Sequence, residues 1–487
     1  MKTDRKNYRC EFSKLESIFV KLLPIVILVV EYITILIAQK LSLFIQHNLP
    51  FKNGLFYISD LYFYGIIPMI FIFFLYYTKV NERFIMYWET LQRTFYAVLY
   101  SEIFCVVLLY LFKTSNYVSR AYIVIFFIMV FICLCISRQL LIKICHKLDL
   151  MKEAVVFIGA GKTTEKIIDL TKNNNCFGIK VVGIFDDRPA IKNLAKKYHI
   201  FIFNDLLEVK TYIQQFKIQT VIIAIPNMEK NKLLNLIEDL QPVVRNLMFV
   251  PNIVGIPVYN LDIKRLYANN MVLLSIKNNL AKKTNRRIKR VFDILFSLMT
   301  MIIILPISFV VIICIMIESP KAMPIFKHYR VGKDGKIFPC YKFRSMMPNA
   351  QEKLKEYLRK NPKAQSEWQK NFKLKNDPRI TKVGKFIRKT SIDELPQFIN
   401  VLKGEMSWVG PRPIIRDEIH YYGKNIQDYY SVLPGITGMW QVNGRSEIGY
   451  DERVKLDTWY IRNWSIWIDI VLLIKTLGVV LRKKGAY

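Results

Sequence analysis

The sequence predicts a membrane protein with three parts: an α-helical membrane bundle of four spans (1–150), a Rossmann-like α/β domain (151–280) and a mixed α/β domain (281–487) with a re-entrant membrane helix. Three observations lead to this fold class. Four apolar segments occupy the first 150 residues, and buried-strand runs then alternate with helical stretches. A further apolar run at 291–317 has basic clusters on both sides.

The four apolar segments cover residues 18–38, 61–77, 95–112 and 121–136. Each is close to the ~20 residues that span a bilayer as a helix, although the second and fourth are short. Lys and Arg concentrate before the first segment, between the second and third, and after the fourth. Because basic loops stay in the cytoplasm, the N-terminus and everything after residue 137 are expected there. Glu31 and Glu102 lie inside segments, where we expect them to pair or to sit near an interface, with a functional role as the alternative.

The chain is strongly basic, with 71 Lys and Arg against 38 Asp and Glu and a net charge of +33. A hydrophobic content of 52% accompanies this charge, which is typical of a membrane protein that faces anionic lipid. No nucleic-acid-binding motif is present, so nucleic acid is not an expected partner. The eight cysteines are scattered and indicate reduced packing residues.

Residues 153–280 are typical of a parallel α/β domain. Strand runs at 154–158, 181–185 and 220–225 alternate with helical stretches, and the turn Gly159-Ala-Gly161 follows the first strand. A complete dinucleotide fingerprint needs a third glycine where Thr164 stands. A scaffolding or regulatory role is favoured, and ligand binding stays open.

The apolar run 291–317 decides the topology of the last part. Six Lys or Arg lie in residues 281–290, and five more basic residues lie between 321 and 336. A straight fifth span would place the second cluster outside the cell, against the charge rule. Pro306 in mid-run removes a helix hydrogen bond and predicts a kink. We therefore predict a helix that enters and leaves on the cytoplasmic side, with a straight fifth span as the alternative.

Three tryptophans, Trp459, Trp464 and Trp467, precede an apolar run at 471–481 and a basic end. This pattern is typical of an amphipathic segment in the membrane interface. A buried core helix uses the same residues and is the alternative.

A carboxylate pair, Asp393 and Glu394, follows a dense cationic run. Ser391 and Glu394 have the spacing of a capping box, which predicts a helix from Ser391 to about Gly404. Asp393 would then lie in the first turn, where free N–H groups favour anions. Cations nearby make this a phosphate site that contains a carboxylate, and a carboxylate can act as a nucleophile on phosphorus. An ordinary capped helix is the alternative.

Short motifs in a fixed order surround this pair. They are Pro324-Ile-Phe, Arg330-Val-Gly-Lys-Asp-Gly-Lys, Tyr341-Lys-Phe-Arg-Ser-Met346, Asp377-Pro-Arg-Ile-Thr, Asp393-Glu-Leu-Pro-Gln, Pro411-Arg-Pro413 and Leu433-Pro-Gly-Ile-Thr-Gly438. Together they closely resemble the bacterial sugar transferase family, the monotopic polyprenol-phosphate phosphoglycosyl transferases, from about residue 289 to 487. The layout is most similar to the large undecaprenyl-phosphate galactose phosphotransferases, and glucose-1-phosphate transferases share it.

The resemblance implies transfer of a sugar-1-phosphate from a UDP-sugar to undecaprenyl phosphate, with release of UMP, as the first membrane step of O-antigen, capsule or exopolysaccharide synthesis. It assigns the nucleophile to Asp393 and a Mg²⁺ ligand to Glu394. Binding of phosphate or nucleotide is implied for Lys342, Arg388 and Arg412, with Pro411 and Pro413 flanking the last. It also implies a homodimer in the bacterial inner membrane, with several spans and the catalytic domain on the cytoplasmic face.

Two other function classes are weighed against this interpretation. A membrane-bound NAD-dependent epimerase or dehydratase needs a helical Tyr-x-x-x-Lys, and the formal match from Tyr329 to Lys333 runs through a Gly-containing turn. A non-catalytic scaffold has no use for Asp393, Glu394 and Arg412. The sequence does not distinguish galactose from glucose.

Overall fold

The computed structural model describes residues 14–48, 59–82, 86–112, 118–148, 153–173, 179–187, 197–198, 200, 202–206, 208–252, 261–266, 271–276, 279–320, 322–361, 365, 377–443 and 449–481. They belong to two compact units, Met1–Val254 and Gly255–Tyr487. The predicted boundaries at residues 150 and 280 stay predictions.

The first unit begins with the membrane bundle. Its helices are α1 (Lys14–His47), a π-helix (Leu61–Ile66), α2 (Ile67–Tyr77), α3 (Tyr87–Leu111) and α4 (Arg120–Lys147). In α1, α3 and α4 the apolar stretch is long enough to cross a membrane, and a fourth such helix, Lys283–Glu318, lies in the second unit. The predicted second span is shorter, a 6-residue π-helix followed by an 11-residue α-helix. These residues rise about 25 Å, less than the ~30 Å of a hydrocarbon core.

Hydroxyl groups inside the bundle bond to the backbone of their own helix. Ser42 Oγ donates to the Ala38 carbonyl, and Ser101 Oγ donates to the Ala97 carbonyl, each at 2.7 Å. Such bonds satisfy the hydroxyl without a partner from another helix.

The two intramembrane glutamates differ in their partners. Asn81 Nδ2 donates to Glu31 Oε1 at 3.1 Å, which confirms the predicted pairing of Glu31. Glu102 is buried, and its Oε2 has no hydrogen-bond partner among the described residues. Pairing is therefore observed for Glu31 and not for this oxygen of Glu102, and a position near an interface stays a prediction.

A five-stranded parallel sheet follows and confirms the Rossmann-like prediction. Its order is β3–β2–β1–β4–β5. The strands are β1 (Glu153–Ile158), β2 (Ile179–Phe185), β3 (Ile202–Phe203), β4 (Thr220–Ile223) and β5 (Asn246–Phe249), and the helices are α5 (Lys162–Asn173), α6 (Glu208–Phe216) and α7 (Lys230–Leu240). Separate cores form on the two faces of β1, one with Ile168 of α5 and one with Val209 of α6. Burial on both faces explains why the strand is a continuous apolar run.

The turn after β1 is closed by side chains of the domain itself. Gly159 has φ +103°, and a Cβ there would lie 2.4 Å from Ile225 Cγ1. The Ala160 N–H donates to Asp186 Oδ2 at 2.6 Å, and Thr164 Oγ1 donates to the Gly159 carbonyl. The Asp186 carboxylate thus already accepts from an N–H group of the turn after β1, and this contact disfavours a phosphate at that position.

The second unit is built around one long helix and several short elements. In chain order these are β6 (Leu261–Leu266), β7 (Met271–Ile276), α8 (Lys283–Glu318), β8 (Ile325–Val331), β9 (Ile337–Phe343), α9 (Ala350–Lys360), α10 (Lys382–Lys389), α11 (Gln397–Lys403), β10 (Ser407–Val409), α12 (Ile419–Tyr422), α13 (Ile426–Tyr430), β11 (Gly435–Thr437), α14 (Met439–Asn443), α15 (Tyr450–Asn463) and α16 (Ile466–Leu481). β6–β7 and β8–β9 pair antiparallel, and β10–β11 pair parallel.

Helix α8 has 36 residues and continues through Pro306. Its buried residues form one stripe: Lys289, Asp293, Ser297, Ile304, Ser308, Val311 and Ile315. Large apolar side chains elsewhere on the helix are exposed, including Ile302 and Ile317 at 77%. One face therefore packs on protein while the rest has the composition of a lipid-facing surface. The predicted return to the cytoplasmic side stays a prediction.

The positions of the tryptophans near the end of the chain differ from the interfacial interpretation. Trp464 and Trp467 are buried, and Trp464 belongs to a core cluster with Tyr460 and Leu472. The interfacial interpretation is wrong for these two residues, which are core residues, whereas Trp459 is exposed. The reason is that α15 and α16 turn their apolar residues toward the start of α8 and β10.

Candidate functional site

The carboxylate pair lies on an irregular turn between two helices. α10 ends at Lys389, Ser391 has φ +57°, and Ile392–Glu394 is a 3-10 turn. Ser391 makes no side-chain cap bond, so the predicted capping box and the predicted helix start are wrong. Pro396 explains the difference, because it lacks the N–H that an α-helix would bond to the Ile392 carbonyl. The predicted helix end is confirmed, since α11 stops at Lys403 and Gly404 has φ +83°.

Helix α10, which leads into this turn, is held at its first turn from two directions. Thr381 Oγ1 accepts from the Gly384 N–H at 2.9 Å. Glu318, the last residue of α8, accepts from the N–H groups of Lys382 at 2.7 Å and Val383 at 3.0 Å. A Cβ on Gly384 would lie 2.0 Å from the Ser345 carbonyl oxygen, so the helix backbone packs directly on the chain after β9.

Replacement of Glu318 by alanine is expected to lower the thermal unfolding midpoint by a few degrees. The change removes an anion that accepts from two free N–H groups, and loss of a helix cap costs about 0.5–2 kcal/mol. Glu352→Ala is the matched control, since Glu352 is an exposed acid in the first turn of α9. Equal midpoints for the two variants would show that the Glu318 contacts contribute nothing.

Lys342 and Glu394 form the central ion pair of the site. Lys342 Nζ lies 2.6 Å from Glu394 Oε1, and the two side chains are 22% and 31% exposed. Burial raises the pKa of Glu394, but the charges of Lys342 and Arg412 outweigh it and the pKa falls below its usual value. Glu394 therefore stays ionised near neutral pH.

Asp393 behaves in the opposite way. Burial and the neighbouring charge of Glu394 raise the pKa of Asp393 to about 6, against the lowering effect of Lys342 and Arg388. Arg388 is fixed by a hydrogen bond from its Nε to Ser345 Oγ at 2.8 Å. The pKa values of these two neighbouring carboxyl groups are therefore shifted in opposite directions. Such a pair is common in active sites where one carboxylate reacts and the other binds a ligand.

The Pro411-Arg412-Pro413 segment presents an exposed arginine between two buried prolines. The Pro411 carbonyl accepts from the Gly435 N–H at 2.8 Å. The Arg412 guanidinium carbon lies 5.5 Å from the centre of the Trp440 ring, close enough for a cation–π contact. The prolines therefore shape the backbone, and the arginine is the group available to a ligand.

The predicted charged residues of the site lie close enough for their charges to shift the pKa of Asp393, of Glu394 or of both. These residues are Asp393, Glu394, Lys342, Arg388 and Arg412. The roles assigned to them stay predictions. The two prolines support the segment through their backbone.

Sequence reasoning assigned no role in the site to Arg330 or Asn400. The charge of Arg330 also lowers the pKa of Glu394, and its Nη1 donates to the Pro413 carbonyl at 3.3 Å. Asn400 is fully buried and clamps α11 to β9, accepting from the Tyr341 N–H at 3.1 Å and donating to the Pro339 carbonyl at 2.7 Å. The motif that begins at Arg330 could have indicated this residue, but no local pattern marks Asn400.

The carboxylate pair can be tested as a Mg²⁺ site from its donor set. The described residues contain no group of three or more His, Cys, Asp or Glu side chains arranged to hold a metal. Mg²⁺ commonly takes only one or two protein carboxylates and completes its shell with water and substrate phosphates. Glu394 is ionised and partly exposed, so the pair fits an ion that is shared with a phosphate ligand.

Comparison with known proteins identifies two matching family models. Residues 284–483 match the bacterial sugar transferase family, and residues 75–251 match a family described as a CoA-binding domain. The first match contains the whole site, and the second contains the parallel sheet.

Similar proteins of known name cover most of the chain. An undecaprenyl-phosphate galactose phosphotransferase of Salmonella typhimurium is 40% identical over 72% of both chains. A UDP-galactose-lipid carrier transferase of Erwinia amylovora is 38% identical over 72% of this chain and 73% of its own. A UDP-glucose:undecaprenyl-phosphate glucose-1-phosphate transferase of Escherichia coli is 30% identical over 69% of both.

Proposed function

We infer the reaction of this chain from its family: it belongs to the bacterial sugar transferase family and is an undecaprenyl-phosphate sugar phosphotransferase, a phosphoglycosyl transferase. We propose that it transfers galactose-1-phosphate from UDP-galactose to undecaprenyl phosphate and releases UMP. Galactose is favoured over glucose because the relatives named for galactose are 38–40% identical and the relative named for glucose is 30% identical. The product would begin an O-antigen, capsule or exopolysaccharide.

The proposed chemistry has two displacements at one phosphorus atom. A carboxylate oxygen of Asp393 attacks the phosphorus that carries the sugar, and the bond to the UMP oxygen breaks. The sugar phosphate is then held on Asp393 as an acyl phosphate. An oxygen of undecaprenyl phosphate attacks the same phosphorus, releases the Asp393 carboxylate and forms the undecaprenyl-diphospho-sugar. Such double displacement predicts ping-pong kinetics.

Positive charge around the pair is what allows an anion to approach a pyrophosphate. Lys342 lies 2.6 Å from Glu394, and the charges of Arg388 and Arg412 act on Asp393 and Glu394 respectively. When bound, Mg²⁺ would supply Lewis-acid stabilisation of the phosphate oxygens, with Glu394 as its protein ligand. The single observation that carries the proposal is the half-buried Asp393, with a raised pKa, beside an ionised and cation-paired Glu394.

The contacts of α8 support the re-entrant path. Near its start, Arg290 donates to the Val401 and Leu402 carbonyls. At its end, Glu318 accepts from the start of α10. Both ends therefore bind the compact unit that carries the site, which favours a return to one side of the membrane over a straight span. We propose that this side is the cytoplasmic face of the inner membrane, and that the protein is a homodimer.

The proposal is tested with the purified full chain, Mg²⁺, undecaprenyl phosphate and a panel of UDP-sugars. We expect UMP release with UDP-galactose and none with Asp393→Asn. Release with UDP-glucose alone would keep the reaction and change the sugar. Release at equal rates from the variant would remove Asp393 as the nucleophile.

The pH dependence follows from the raised pKa of Asp393. A nucleophile must be ionised, so kcat/KM for the UDP-sugar should fall about tenfold per pH unit below pH 6, where Asp393 becomes protonated. A divalent cation favours the ionised form, so raising the Mg²⁺ concentration should move this acid limb to lower pH. An acid limb near pH 4 at every Mg²⁺ concentration would contradict the assignment. UMP release measured from about pH 3.5 to 8 provides the profile and covers both outcomes.

A further inference from the structure

The membrane bundle contains a cavity that the proposed reaction does not use. It has a volume of about 250 Å³ and lies between α2 with its π-helix, α3 and α4. Most of the residues that line it are aliphatic or aromatic, among them Ile66, Leu109 and Phe126. Val106 lines the cavity and is 41% exposed, so the cavity reaches the lipid-facing surface of the bundle. A hydrocarbon chain could enter it from the bilayer.

A carboxyl-bearing residue, Glu102, belongs to the wall of this apolar space. Glu102 lines the cavity and is only 9% exposed. Its buried Oε2 has no hydrogen-bond partner among the described residues. An unsatisfied polar group in a bilayer costs free energy, and acidic residues inside spans are usually paired or functional. Glu31, the other glutamate inside a predicted span, is paired with Asn81, which leaves Glu102 Oε2 as the unpaired one of the two.

The π-helix is an independent sign of a site at the same wall. Leu61–Ile66 contributes Tyr62 and Ile66 to the cavity. π-Helical turns are rare and occur frequently at functional sites, because they widen the helix at a cost in stability. Tyr32 of α1 donates to the Tyr64 carbonyl at 2.9 Å and so fixes this segment against the bundle.

The position of Glu102 far from the end of its helix restricts the chemistry of the ligand. Glu102 lies nine residues before Leu111, the end of α3, which is about 13 Å along the helix axis. An ammonium group brought to this depth would carry a charge into the hydrocarbon, which is costly. A hydroxyl both donates and accepts, carries no charge, and pairs with a carboxyl group in a dry site.

We propose that this cavity binds the hydroxyl end of a long-chain primary alcohol, with the hydroxyl on Glu102 and the chain along α3 toward the lipid. The site is separate from the sugar-phosphate transfer chemistry. Both straight-chain and isoprenoid alcohols have the required chemistry.

The experiment uses the full chain in lipid nanodiscs and two photoreactive diazirine probes of equal length, one a hexadecanol and the other the corresponding alkane. Mass spectrometry then locates the labelled peptides. We expect the alcohol to label α3 and α4 about tenfold more than the alkane, since a buried hydrogen bond discriminates by about that factor. Equal labelling by the two probes would overturn the proposal.

Variants of Glu102 test the role of the carboxyl group. Glu102→Leu should reduce alcohol labelling about tenfold without affecting the alkane, whereas Glu102→Gln keeps a donor and an acceptor and should retain labelling. Loss of labelling in both variants would show that charge, and not a neutral hydrogen bond, holds the ligand, and would overturn the alcohol assignment. Ile123→Trp, which fills the cavity, should exclude both probes. Competition by geranylgeraniol and by hexadecanol distinguishes an isoprenoid from a straight-chain source.

Discussion

Asp393→Asn is expected to abolish the exchange of labelled UMP into the UDP-sugar in the absence of undecaprenyl phosphate. If a sugar phosphate is held on Asp393, the first displacement is reversible by itself and the wild-type protein catalyses this exchange. An amide is a poor nucleophile toward phosphorus, so the variant should lose ~10³-fold or more, equivalent to about 4 kcal/mol of barrier. The measurement is the rate at which label appears in the UDP-sugar with Mg²⁺ present.

Asp417→Asn is the matched control for this experiment. Asp417 is an exposed carboxylate in the same unit, and its replacement makes the same change in charge. We expect the control to exchange at the wild-type rate. Absence of exchange in the wild-type protein, with normal overall transfer, would indicate direct attack by undecaprenyl phosphate and no covalent step.

Asp469→Leu is expected to lower the thermal unfolding midpoint by about 10 °C. Lys289 Nζ lies 2.7 Å from Asp469 Oδ2, and the two side chains are 9% and 0% exposed. Trp464 Nε1 and Tyr460 OH donate to the same carboxylate at 3.0 and 2.7 Å. Its removal takes away the carboxylate that is bonded to this buried ammonium and leaves only the charge of Asp293 nearby. Breaking a buried pair costs about 3–5 kcal/mol, and each kcal/mol shifts the midpoint of a unit this size by about 2–4 °C.

A second variant separates the loss of the pair from the loss of a buried side chain. The double variant Lys289→Met with Asp469→Leu removes both charges and should recover most of the midpoint, because apolar replacements of buried ion pairs are often neutral. A double variant no more stable than Asp469→Leu alone would mean that packing, and not the unpaired charge, controls the effect. Thermal unfolding in one detergent for all variants makes the comparison.

The fold could be predicted from regular patterns of apolar residues. The run Val155–Ile158 is fully buried at the centre of the sheet, as its continuous apolar character indicates. The second predicted span was located correctly but is shorter than the others, because the helix begins with a π-turn that no sequence pattern marks. Trp464 and Trp467 were misassigned because a protein core and a membrane interface favour the same residue type.

The grouping of the carboxylates and cations was predictable from the sequence, whereas the backbone that carries them was not. The carboxylate pair and its cations were identified from motifs, yet the capping-box spacing from Ser391 to Glu394 suggested a regular helix. Pro396 prevents that helix, and the left-handed Ser391 reverses the chain before the pair. The polar contacts of Asn400 and Glu318 join segments more than 50 residues apart, and local spacing contains no information about them.

The way α8 is tied to the site limits how this protein can be shortened. Arg290 holds the end of α11, Asp293 accepts from Ser407 and from the Trp408 N–H, and Glu318 holds the start of α10. A soluble fragment that begins at residue 322 would lose all three anchors at once. Solubilisation by deletion of the hydrophobic helix would therefore remove the framework of the reactive turn, so production of the active domain requires a lipid or detergent that keeps this helix in place.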